Sequence, residues 1–322
     1  MCTAILVKGS KSYFGRNMDI DYSFNEQVIS ISKGYEFGFK KEKRIRSIYS
    51  ILGIGTLIEG YPMFADAMNE CGLAFAGLAF TKNCHYYDFD KSKKNYTPYE
   101  LPLILLSTCK NIEEVKFMLK DINLLNEPFS KEVPLAPLHF MISDKKKSIV
   151  IETLKDGTKV YDNPFNVLTN NPPFSYHKEN VSNYLQLHNA SPLNLLNKEI
   201  KIDHYSYNQG AIGLPGDFSS SSRFIKCFYV KSNLILDGTS DDIIEFFKCL
   251  DSVSMVKGSV KTEKGYEITR YTVCYDLDNF VLLYKTYSNS CLSKIELKKT
   301  YNDDGIISTF PILDKSFIYK QN

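Results

Sequence analysis

The sequence predicts an α+β protein in which antiparallel sheets carry helices on their outer faces. Three observations point there: strand-like runs gather near both ends, helical patterns come in pairs in the middle and late third, and no regular βαβα alternation occurs. Residues 2–7 and 12–17 flank Lys8-Gly9-Ser10-Lys11 and read as a hairpin. Helical patterns follow at 98–109 and 111–121, the second opening on Asn111 with Glu114 three residues on, the spacing of a capping box. Runs at 138–143, 147–154 and 158–163 form a meander whose second turn carries Asp156-Gly157, a two-residue hairpin signal. Helical patterns at 177–187, 220–232 and 240–250, then strand-like runs at 270–276 and 280–287, complete the order.

The chain has 322 residues, 43% hydrophobic and 24% charged, within the range of ordinary globular proteins. A compact chain of this length buries about three quarters of its extended surface. No repeat, low-complexity tract or Gly/Ser/Pro-rich linker divides it, so one domain over 1–322 is expected. Lys+Arg 39 against Asp+Glu 37 leaves +2, too balanced for a protein that neutralises phosphates, and nucleic acid is excluded as a partner. The lysine-rich patches at 40–46, 91–94 and 145–147 read as solvated turns. No basic region precedes an apolar stretch at the N-terminus, and the best apolar run, Tyr99 to Cys109, is about half the roughly 20 residues of a membrane span and contains Pro102. The expected location is the cytoplasm, with no membrane partner.

Five histidines (85, 139, 177, 188, 204) show no metal-ligand spacing, so no metal is expected, and His139 sits in an apolar strand pattern as a core residue would. Gly53-Ile-Gly55 lacks the remainder of a dinucleotide fingerprint, and Gly213 to Gly216 lacks the Lys-Ser/Thr of a P-loop, so no nucleotide cofactor is expected. Eight cysteines (2, 71, 84, 109, 227, 249, 274, 291) form no CxxC pair, and seven read as inert small hydrophobes.

Cys2 differs. Removal of Met1 would leave a thiol on the first residue, where the α-amine, with a reference pKa of about 7.7–8.0, can accept the proton of a thiol whose own reference is about 8.5. The residue then contains its own base, and no histidine is needed. With Met1 retained the nitrogen is an amide and has no basicity. Taken alone, a cysteine at position 2 could be accidental. Antiparallel pairing of the hairpin, however, brings Phe14-Gly15-Arg16-Asn17-Met18-Asp19 beside Cys2. A guanidinium favours a thiolate, and a carboxylate can hold a terminal amine, although an Arg/Asp pair is also common in surface turns.

The opening MCTA, FGRNMD, Asn69-Glu-Cys-Gly-Leu73 with Ala76-Gly-Leu78, Val167-Leu-Thr-Asn-Asn-Pro172 and Gly213-Leu-Pro-Gly-Asp-Phe218 followed by Ser222-Arg223-Phe224 resemble the choloylglycine hydrolase family. That family holds bile salt hydrolases and penicillin V acylases, members of the N-terminal nucleophile hydrolases. The likeness is collinear from residue 1 to about residue 290. It implies a four-layer αββα sandwich and hydrolysis of a linear amide. It also implies Cys2 as nucleophile, Arg16 and Asp19 as activating and amine-binding groups, Asn170 as an oxyanion donor and Arg223 as a second supporting arginine. Ala79 stands where bile salt hydrolases usually have Asn and penicillin V acylases often have Tyr, and it keeps the backbone N–H that the oxyanion would use. Phe140 replaces the Trp of a common Leu-His-Trp and keeps an aromatic ring.

The leading substrate implied is a glycine- or taurine-conjugated bile salt, its steroid body against Met18, Tyr22, Phe64 and Leu138. The alternatives are a penicillin V acylase or other N-acyl amide acylase with the same machinery, and a catalytically idle ligand-binding homologue suggested by Ala79. A Cys/His protease finds no supporting histidine context. A homotetramer is implied by the resemblance, and the 203–211 segment gives no rule for glycine against taurine.

Overall fold

The computed structural model describes residues 1–238, 242–263, 265–297 and 305–322. In chain order the first strands are β1 (Cys2–Lys8), β2 (Ser12–Ile20), β3 (Gln27–Ile31), β4 (Glu36–Phe37), β5 (Ile45–Arg46), β6 (Ile51–Ile58), β7 (Tyr61–Asn69) and β8 (Ala74–Ala79). After β9 (Lys94–Tyr96) come helices α1 (Leu101–Thr108) and α2 (Ile112–Leu119), then β10 (Ile122–Leu124), β11 (Leu138–Ser143), β12 (Ser148–Leu154), β13 (Gly157–Asp162) and β14 (Val167–Leu168). Helices α3 (Phe174–Asn180), α4 (Ser220–Ser232) and α5 (Asp242–Asp251) precede β15 (Ile268–Asp276), β16 (Val281–Thr286), β17 (Ser293–Glu296) and β18 (Ile307–Pro311).

Two large sheets result, antiparallel at every pairing. One has six strands in the order β14-β1-β2-β15-β16-β17, the other eight in the order β13-β12-β11-β8-β7-β6-β3-β18. The period-2 alternation of a strand separates their faces. Ala4, Leu6, Phe14 and Met18 of the six-stranded sheet pack with Val28, Leu52, Ile54, Met68, Ala76 and Met141 of the other in one buried cluster. The opposite face of the eight-stranded sheet, with Ile29, Ile51, Phe75, Phe140 and Ile151, packs on Leu105, Leu106, Ile112 and Val115 of α1 and α2. On the far side of the six-stranded sheet, the Tyr13 ring lies 6.3 Å from that of Phe246, and Asn17 donates to Leu250 O at 2.8 Å, both partners belonging to α5. The layers run helices, sheet, sheet, helices, as the resemblance implied.

The N-terminal hairpin, the 138–162 meander and α4 stand where the sequence places them. Among the strands not foreseen, β3, β6, β7 and β8 matter most: they make the centre of the eight-stranded sheet out of a region, 27–79, in which the sequence reading delimits no element. Glycine hides the strand signal there. A Cβ on Gly53 would come within 2.4 Å of both Ala67 Cβ and Asp66 O, so β6 carries glycine because β7 passes too close for any other residue. The helix expected at 177–187 begins earlier, at Phe174 behind Pro173, and continues as a 3₁₀ turn over Val181–Tyr184. The 98–109 helix is shorter because Glu100 turns its carboxylate back onto Thr97 N at 2.8 Å and Lys40 N at 2.7 Å. In α2, Asn111 caps Glu114 N at 3.0 Å, while Glu114 Oε2 accepts from Lys110 N rather than from the cap residue. Positions 240 and 241 of the expected 240–250 helix lie outside the described residues.

Candidate active site

Cys2 opens β1 opposite Met18 and faces the gap between the sheets, 3% exposed. Arg16, two residues before Met18 on the same face, donates through Nη2 to Cys2 Sγ. Its Nη1 donates to Gly77 O at 2.5 Å and Ala65 O at 3.3 Å. The reason a guanidinium fits lies in the neighbouring sheet. Pairing of β7 with β8 ends at Asp66 opposite Ala76, and a bulge leaves Ala65 unpaired between Asp66 and Phe64, so two carbonyls are open to a donor.

Arg16 has no water-exposed surface, and Asp66 Oδ2 lies 4.0 Å from its Nε. The Asp66 oxygens each accept a tyrosine hydroxyl, from Tyr271 at 2.7 Å and Tyr275 at 2.6 Å. Burial pushes the Asp66 carboxyl above the usual carboxylate range, against the pull of Arg16 and the tyrosines. Burial also opposes the charge of Arg16, yet Cys2, Tyr271 and Asp66 outweigh it and hold its pKa above the ordinary value. Sequence reasoning missed Asp66 and both tyrosines. The available signal was a lone carboxylate on an inward position of an otherwise apolar strand.

Asn170 follows β14 and ties together β1, β8 and α4. Its Oδ1 accepts from Cys2 N at 2.8 Å and from Arg223 Nη2 at 2.8 Å, and its Nδ2 donates to Ala79 O at 2.9 Å. An amide nitrogen has two hydrogens, so one N–H remains for a further acceptor. Arg223, on α4, also donates to Cys2 O at 2.6 Å and Thr3 Oγ1 at 2.7 Å. Burial lowers its pKa, against the opposing pull of Asp19 and Cys2. Phe80 N donates to Pro137 O at 2.8 Å, so by antiparallel alternation the Ala79 N–H points away from β11.

Asp19 sits opposite Met1: Asp19 N donates to Met1 O at 3.1 Å. The Met1 ammonium donates to Asp19 O at 2.5 Å and Glu267 Oε1 at 2.9 Å. With Met1 attached, Cys2 N is a peptide nitrogen standing where a free amine would be, and it bonds Asn170 rather than the Asp19 carboxylate. Asp19 Oδ1 accepts from Thr269 Oγ1 at 2.6 Å, while Oδ2 is buried without a partner among the described residues. Burial raises the pKa of this carboxyl, with Arg223 the main opposing influence.

A cavity of about 440 Å³ opens from Cys2 and Ala79, and all four residues expected to meet an acyl group, Met18, Tyr22, Phe64 and Leu138, line it. Phe24 and Leu135 extend the apolar wall. His139 is fully buried, as expected of a core histidine, and the other cysteines are all free, four of them buried. Among the described residues no three His, Cys, Asp or Glu side chains gather as a metal site would require. Nor is any described helix long and apolar enough to cross a membrane.

The sequence profile of linear amide C–N hydrolases of the choloylglycine hydrolase family matches residues 2–306. The chain belongs to the choloylglycine hydrolase family. It is accordingly a hydrolase of linear amide C–N bonds. It is 41% identical to a bile salt hydrolase/transferase of Lactiplantibacillus plantarum over the full length of both chains. A second relative, the bile salt hydrolase/transferase of Clostridium perfringens, is 39% identical over 96% of each chain. A solved variant of the conjugated bile acid hydrolase of Clostridium perfringens superposes with a TM-score of 0.92 at 37% identity, covering all of both chains. A penicillin V acylase from Agrobacterium tumefaciens shares the fold, with a TM-score of 0.78 at 18% identity over 96% of this chain and 91% of that one.

Proposed function

We propose that this family member hydrolyses glycine- and taurine-conjugated bile salts through Cys2 once Met1 is removed. The observation that carries the reading is the mainly apolar cavity that Cys2 and Ala79 line, with the Arg16 guanidinium on the Cys2 thiol and the Asn170 carboxamide on Ala79. Such a space suits a steroid body with its amide carbonyl laid on the sulfur. The relatives named for this substrate span 100% and 96% of the chain.

In the mature chain the Cys2 α-amine takes the thiol proton, and the sulfur attacks the carbonyl. The second Nδ2 hydrogen of Asn170 and the Ala79 N–H receive the oxyanion. Arg16 stabilises the sulfur anion, and Asp19, with its spare carboxylate oxygen, holds the amine. The amine returns the proton to departing glycine or taurine, and water releases the bile acid from the thioester. An amine in place of water would give a new amide and restore the thiol. One domain, a cytoplasmic location and a homotetramer belong to the same proposal. The support for assembly is an apolar segment, 185–212, in which Leu196 is 95% and Tyr207 93% exposed.

The deciding experiment measures amine release from glycocholate, taurocholate and penicillin V, with Cys2→Ala as control and the mature N-terminus read by mass spectrometry. Turnover of the two bile salts by a chain starting at Cys2, abolished in C2A, is the expected result. Activity in C2A, or an active chain still bearing Met1, overturns the mechanism; turnover of penicillin V alone overturns only the substrate.

A further inference from the structure

Two buried histidines stand outside the reaction just described, and both hold the segment that carries Asn170. His139, on β11, places Nε2 2.9 Å from Thr169 O. His177, on α3, places Nε2 2.9 Å from Asn170 O. A carbonyl oxygen only accepts, so each Nε2 carries the proton. In His139 a second proton lies between Nδ1 and Glu152 Oε1, 3.1 Å apart, and the same carboxylate oxygen accepts from Phe174 N at 2.8 Å. In His177 the proton on Nε2 leaves Nδ1 bare, and Nδ1 has no partner among the described residues. Burial keeps that ring neutral, its pKa held down to about 4.

The rings are fixed as firmly as their nitrogens. His139 stacks on Phe80 with centroids 4.4 Å apart, and His177 on Phe224 at 4.8 Å. Phe80 follows Ala79 and Phe224 follows Arg223, so each imidazole is clamped against the neighbour of a residue that Asn170 touches. Ser220 Oγ accepts from Asn170 N at 2.8 Å, which leaves the carbonyl side of the segment to the histidines. An apolar ring would fill the same space but donate nothing.

We propose that His139 and His177 are positioning residues for amide hydrolysis, fixing the Thr169 and Asn170 carbonyls and thereby the Asn170 carboxamide against Cys2, Arg223 and Ala79. The inference rests on the hydrolytic role of Asn170 proposed above. A donor serves an oxyanion only when it is already aimed, and a misplacement of about 1 Å can cost on the order of a hundredfold.

The test compares His177→Phe, which keeps the stack on Phe224 but not the donor, with His177→Gln, which keeps a donor. Three readouts are taken: kcat and KM on glycocholate, the pH profile of Cys2 alkylation by iodoacetamide, and thermal stability. H177F is expected to lose roughly tenfold to a hundredfold in kcat at unchanged KM. Its alkylation midpoint shifts, because the Cys2 nitrogen has lost a fixed acceptor, and H177Q recovers part of both effects. A loss confined to thermal stability, with kcat and the alkylation profile of the wild type, overturns the proposal. Should H177F not fold, His177→Leu is read in its place. If wild-type protein turns over none of the amides, the functional reading fails, and the alkylation profile alone decides whether His177 positions Asn170.

Discussion

Arg16 carries its charge where no water reaches it, so the residues around it decide what that charge can do. Asp66, supported by two tyrosine hydroxyls, is its nearest carboxylate. Asp66→Asn takes the nearest carboxylate from the guanidinium and is expected to destabilise the fold by about 3 kcal/mol in urea unfolding. Cys2 then faces a less compensated cation, and its alkylation by iodoacetamide should move to lower pH in the same variant. At the other donor, Asn170→Ala removes the carboxamide and should lower kcat by ~10²–10³ with little change in KM. His177 gives a pH signature of its own. Its ring is neutral in the fold down to about pH 4, whereas an unfolded histidine protonates near its reference of 6.5. Below the unfolded value the unfolded chain therefore binds the additional proton, so the stability present above it is lost as pH falls toward about 4. The linkage is about 3 kcal/mol. Wild type should lose that much more than H177F between those limits, measured by denaturant unfolding at each pH. These residues were unequally legible. Cys2, Arg16 and Asp19 could be singled out from the N-terminal hairpin, and Asn170 and Arg223 from the resemblance; the structure brings Cys2, Arg16, Asn170 and Arg223 into hydrogen-bond contact. Asp66, His139 and His177 act through partners brought near by folding, and nothing local marks those partnerships.

Among the elements, the hairpin of β1 and β2 does most to build the site, because its register puts Cys2 opposite Met18 and Arg16 on the same face. Gly15 lets β15 close on that hairpin. A Cβ at Gly15 would lie 1.9 Å from Val273 O, so Gly15→Ala must displace backbone. Overpacking of this kind costs about 1–3 kcal/mol, and the displacement sits next to Arg16, so Tm and kcat should fall together. Asn111→Ala offers the contrast: it removes a helix cap on the far side of the eight-stranded sheet, worth about 1 kcal/mol, and kcat should hold. The same distinction explains which elements the sequence revealed. The hairpin, the meander and α4 announce themselves through turn residues, alternation or a 3.6-residue period. Strands β6 and β7 are largely buried and are interrupted by glycine and a bulge, so their alternation is weakened, and the sequence reading delimits no element there.

At the scale of the whole molecule, the two sheets account for the buried apolar residues but leave a segment unexplained. Between α3 and α4, Leu185, Leu193, Leu195, Leu196, Tyr205 and Tyr207 stand in solvent, while His188 N bonds Gly210 O at 3.1 Å and Gly210 N bonds Ala190 O at 3.0 Å, tying the base of the segment. A tied base with an apolar crest is costly for an isolated chain and natural for an interface between copies. The segment also runs directly into 213–223, which delivers Arg223 to Cys2 O and Asn170. Covering it would therefore steady the loop that ends in the site. The expectation is that light scattering of the purified protein gives the mass of a tetramer, and that Leu196→Asp combined with Tyr207→Asp gives smaller species. Neither residue lines the Cys2 cavity, so in the dissociated variant KM should change less than stability of the active form on dilution. A wild-type protein that scatters as a monomer would show that the crest meets something other than a second copy of this chain.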